Sequence, residues 1–75
     1  MKKTAIFRKY VSGELTETRE TVTPIDVLIY SICTLWGATD IRETPTGYEG
    51  SVYENRQAKA AGFPVYSFTL DRITA

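Results

Sequence analysis

Thirteen consecutive residues, Val27 to Thr39, contain no Asp, Glu, Lys or Arg, and they follow directly on the strongest helix-start signal in the chain. Thr23-Pro24-Ile25-Asp26 offers a hydroxyl for an N-cap, a proline at the first helical position and an acid in the first turn. The acid also opposes the positive end of the helix dipole. Ile25, Leu28, Ile29, Ile32, Leu35 and Trp36 recur at helical spacing and form one apolar stripe, and Gly37 is expected to end the helix in a left-handed conformation. The spacing thus predicts one helix over residues 24–36. Its stripe demands an apolar surface to lie on. Its back, Val27, Tyr30, Ser31 and Thr34 with Cys33 at the boundary, is neutral where a solvent-facing helix normally carries charge. In a 75-residue chain that back either lies under a loop, with residues 55–62 the candidate, or meets another chain.

The other segments read as strands. Thr4 to Val11 is aromatic and β-branched, and Ser12-Gly13 supplies a two-residue turn into Leu15–Thr23, a polar strand suited to a sheet edge. Counting back from that turn pairs Val11 with Glu14, Tyr10 with Leu15, Arg8 with Glu17 and Ile6 with Arg19. The Ala5, Phe7, Val11 face is expected toward the core. Residues 39–44 and 48–54 form a second hairpin about Pro45-Thr46-Gly47, with Gly50 weakening the second strand or marking a bulge. Residues 55–62 suit either a short helix, with Asn55 as cap and Gly62 as stop, or a structured loop. Residues 63–73 make the last strand. The expectation is a single domain over 1–75 of the α+β class: a small antiparallel sheet of four to five strands with one helix packed on one face, in the order β-β-α-β-β-(α)-β.

Composition narrows the function. One cysteine leaves no internal disulfide, so the fold rests on packing, which suits a reducing, cytoplasmic setting. No apolar stretch of about 20 residues is present to span a membrane. Arg8 and Lys9 interrupt the apolar run after Phe7, against a secretory signal at the start. Net charge is zero. The basic residues Lys2, Lys3, Arg8 and Lys9 face an acidic second segment across the first hairpin, which disfavours a broad phosphate-binding footprint. There is no histidine, which removes the commonest general base and most zinc sites. Cys33 has no histidine partner and reads as a packed, inert thiol. No phosphate-binding glycine motif occurs, and the nine acids show no pairing of the kind that acid–base work requires. The expectation is therefore a protein without catalytic residues, metal or cofactor.

A compact domain without chemistry acts by occupying a surface. The expected function is a non-enzymatic protein-binding module whose partner is another protein or its own copy, with Val27, Tyr30, Thr34, Tyr48 and Tyr53 as contact candidates. Tiny proteins of this style are frequent among phage and mobile-element accessory factors, including inhibitors of host defence such as anti-CRISPR proteins. That is analogy by size and style, with no motif behind it. The alternatives are a homo-oligomeric structural or accessory protein and a weak nucleic-acid binder using Lys2, Lys3, Arg8 and Lys9.

Overall fold

The computed structural model describes residues 2–73. The elements run β1 (Ala5–Val11), β2 (Glu14–Thr21), α1 (Ile25–Leu35), β3 (Ala38–Thr44), β4 (Gly47–Tyr53), α2 (Arg56–Ala61) and β5 (Tyr66–Arg72). This is the α+β order read from the sequence, with five strands. The sheet is antiparallel throughout, in the order β2-β1-β5-β4-β3.

The first hairpin turns on Ser12 (φ 53°) and Gly13 (φ 82°). Two left-handed residues in a row give the turn whose twist matches that of the flanking strands. The register agrees with the turn only for Val11–Glu14 and Tyr10–Leu15. A bulge follows: Thr16 is the extra residue, its hydroxyl donating to the Lys9 carbonyl at 3.3 Å. Beyond it Lys9 opposes Glu17, Arg8 opposes Thr18, Phe7 opposes Arg19 and Ile6 opposes Glu20. The expected Arg8–Glu17 and Ile6–Arg19 pairs are thus displaced by one residue. Arg8 instead pairs with Asp71 of β5 at 2.9 Å.

Both ends of α1 differ from the sequence expectation. Pro24, extended at φ −54° and ψ 140°, is the N-cap, and no side chain caps the helix. The Pro24 carbonyl accepts from the Val27 and Leu28 N–H groups. Thr23 is turned to the sheet instead: its carbonyl accepts from the Thr4 hydroxyl at 2.6 Å and its N–H donates to the Thr21 hydroxyl at 3.1 Å. At the other end Trp36 leaves the helix in an extended conformation. Gly37 is not left-handed. It is needed because any side-chain carbon there would collide with the Glu54 carbonyl. In α2, by contrast, the Asn55 side chain accepts from the Ala58 N–H at 2.8 Å and Gly62 closes the helix at φ 79°, as read. β5 starts three residues later than expected, with Val65 making an isolated bond to the Val52 carbonyl and Phe63 left 74% exposed. Gly50 pairs with Ile41 and Phe68 without a bulge.

The core is the sheet face under α1. Ala5, Val52, Phe68 and Leu70 are fully buried there, with Phe7 stacked on Phe68 at 5.8 Å and Trp36 edge-on to Tyr66 at 5.8 Å. The Ala5 and Phe7 part of the expected face is therefore inward. Val11, at the turn end of the strand, is exposed. The opposite face is polar, tied by the Ser51–Ser67 bond (2.9 Å), the Arg42–Glu49 pair (2.8 Å) and Asp71, which receives both Arg8 and the Thr46 hydroxyl. Five strands span about 19 Å from centre to centre, whereas a helix with its side chains is about 10–12 Å wide. A single α1 therefore leaves part of the apolar face uncovered, and the omission falls on the β2 side.

Candidate functional site

That uncovered strip is a groove of about 510 Å³ between α1 and β2. Phe7 and Tyr66 form its floor, Leu28, Ile32 and Leu35 one wall, and Arg19, Thr21 and Val22 the other. Leu35 is 78% exposed, although the sequence stripe places it in the core. The reason is angular. At 100° per residue, Ile25, Ile29, Ile32 and Trp36 cluster about one direction, while Leu35 lies about 90° from its centre and Leu28 about 70°. The stripe is wider than the contact beneath it, and the surplus overhangs the groove.

Cations partly shield the aromatic rings at the margins of the α1 face. The Arg19 guanidinium stands 5.7 Å over Phe7, Lys9 Nζ 4.8 Å over Tyr66, and the Arg72 guanidinium 5.9 Å over Tyr48. Such contacts let a charged residue cover apolar surface with its stem while its head stays wet. Burial pushes the Tyr66 hydroxyl above its ordinary value near 10, and Glu17 adds to the rise. The Trp36 indole N–H and Arg19 act in the other direction.

The residues singled out in the sequence fall into three groups. Val27, Tyr30 and Thr34 do lie on the open side of α1, with Tyr30 71% exposed, so residues 55–62 do not cover that side. α2 packs against β3 and β4 instead. Tyr48 and Tyr53 are more covered. Tyr48 is half-buried under Arg72, with its hydroxyl 3.5 Å from Asp26, and Tyr53 is buried. Both sit on β4, which has neighbours on each side. The basic residues are dispersed: Lys3 lines the groove, Lys9 is laid on Tyr66, and Arg8 is neutralised by Asp71 on the other face. Lys3 and Lys9 thus lie on the α1 face and Arg8 on the other. Cys33 is exposed rather than packed, with Sγ 3.9 Å from the Thr39 hydroxyl. Sequence reasoning missed Phe7, Val22, Leu35 and Tyr66 as one surface, because each of the four reads as an ordinary core or strand residue.

No protein-family model, curated protein or solved structure matches the chain. Among the described residues, no helix is long and apolar enough to cross a membrane.

Proposed function

We propose that this protein is a non-enzymatic protein-binding module that takes an apolar side chain of its partner into the groove between α1 and β2. The observation that carries the reading is Leu35, held 78% exposed above an aromatic floor in a protein whose fully buried core is only a few side chains. Exposed apolar surface rimmed by charge is the usual mark of a contact site. Val27, Tyr30 and Thr34 continue that surface round the helix, and Arg19 and Lys3 supply a polar rim. The biological setting proposed is that of a phage or mobile-element accessory factor, acting in the cytoplasm by occupying a surface of a host defence protein, as anti-CRISPR inhibitors do.

The test begins with affinity capture from the source cell and mass spectrometry to name the partner, followed by calorimetry with the purified pair. Leu35→Asp should weaken binding by at least about tenfold, with the circular dichroism spectrum unchanged. The Val27→Glu, Tyr30→Ala double variant should weaken it less. Full affinity in a folded Leu35→Asp protein would remove the groove from the interface.

A further inference from the structure

The two sheet edges are not equivalent. Along β3 the outward main-chain groups belong to Thr39, Ile41 and Glu43, because Arg72 donates to the Thr46 carbonyl and the alternation carries that phase across β4. One of these groups is already taken: Lys59 Nζ donates to the Thr39 carbonyl at 2.7 Å, and α2 packs against the same strand. Along β2 the phase is set by Ile73, which donates to the Thr4 carbonyl at 3.0 Å. The Thr4 carbonyl, Ile6 and Arg8 therefore bond toward β5, while the Thr4 N–H donates to the Thr21 carbonyl at 2.7 Å. Ala5, Phe7 and Lys9 bond to Thr21, Arg19 and Glu17, and the N–H and C=O groups of Thr18 and Glu20 face outward.

We propose that a second copy of this chain pairs with that edge, β2 against β2, antiparallel about a two-fold axis at Thr18. The charges select this register. With Thr18 opposite its own copy, Glu17 lies across from the partner's Arg19 and Arg19 from the partner's Glu17, two opposite-charge pairs on the α1 face. Thr18 meets Thr18, and Glu20 meets the bulged Thr16. Centring the axis on Glu17, Arg19 or Glu20 sets like charges against each other. Cross-strand pairs of opposite charge and Thr–Thr pairs are favourable, and facing like charges are not. The charges that guard this edge against other strands are thus self-complementary in one alignment. The axis stands perpendicular to the sheet, so both α1 helices lie on one face and the two grooves open toward each other across the seam. The pairing is independent of whether the groove binds a partner.

The test is a charge swap read by light-scattering mass and sedimentation over the micromolar to millimolar range. The wild-type mass should climb from one chain toward two. Glu17→Arg and Arg19→Glu should each weaken self-association by about tenfold or more, and the Glu17→Arg, Arg19→Glu double variant should restore it. Thr18→Pro removes an outward N–H without touching the β1–β2 ladder, and it should abolish the dimer in a chain that keeps its circular dichroism spectrum. A wild-type mass of one chain at the highest concentration overturns the proposal. So do single swaps that dimerise normally, a folded double variant that stays monomeric, or a dimer that survives Thr18→Pro.

Discussion

Two leucines that the sequence treats alike should respond very differently to truncation. Leu35 is 78% exposed, so only about a fifth of its surface is covered, whereas Leu70 is fully buried. Full burial of a leucine side chain is worth about 2 kcal/mol, so Leu35→Ala removes about 0.4 kcal/mol of transfer free energy. It leaves no cavity, because the side chain borders an open groove. Leu70→Ala loses the whole transfer term and leaves a void between Phe7, opposite it on β1, and Tyr48, opposite it on β4. Such substitutions cost about 2–5 kcal/mol. A domain of this size has a total stability of about 4–11 kcal/mol, so Leu70→Ala should remove a large fraction of it. Urea unfolding by circular dichroism measures both, with the midpoint shift read at constant slope. A cost above about 1.5 kcal/mol for Leu35→Ala would show that α1 lies rotated toward β2 and that the groove is closed in solution, and the reasoning would fail.

Two further outcomes follow from local geometry. Gly13→Ala should destabilise by about 1 kcal/mol despite the open space around it, because Gly13 holds φ 82°. A urea midpoint equal to wild type would mean that the turn rearranges. Tyr66 has its ionisation held above the ordinary value near 10 in the folded state, chiefly by burial. Its contribution is therefore fully present below pH 10 and is lost as the pH rises through the folded value. Tyr66→Phe should flatten this alkaline loss in unfolding titrations, and an unchanged slope would count against it.

The element order was legible because its signals are local. Ser12-Gly13 and Gly62 act through their own backbone geometry and Asn55 through a side-chain bond three residues on, so each does what its residue type allows. Cooperative features were less so. The Thr16 bulge is one of them, since nothing in residues 14–21 announces an extra residue. Thr23 carries a good capping hydroxyl, yet its backbone is turned to the sheet, with Thr4 on its carbonyl and Thr21 on its N–H. Gly37 reads as a helix stop by type, and its actual constraint is the approach of Glu54 from 17 residues away. The contact candidates divide in the same manner. The open side of α1 was visible in its periodicity, while the fates of Tyr48 and Tyr53 depended on β4 having β3 and β5 as neighbours. The groove required knowing how much sheet a single helix fails to cover, a tertiary quantity that a helical wheel only hints at through Leu35.

The last strand made is the middle strand of the sheet. β1–β2 and β3–β4 are hairpins with short turns, and in the sheet they are joined by β5, which pairs with β1 on one side and β4 on the other. During synthesis both hairpins emerge without the strand that joins them, and Phe68 and Leu70, the centre of the core, arrive after everything they pack against. The two hairpins therefore keep the inner edges of β1 and β4 open, in addition to the outer edges of β2 and β3, until a single late closure brings sheet and core together. That closure carries most of the non-local pairing in the molecule, so folding should be limited by chain closure rather than by hairpin formation. The interval before it is when the exposed edges of β1 and β4 are most open to pairing with another chain.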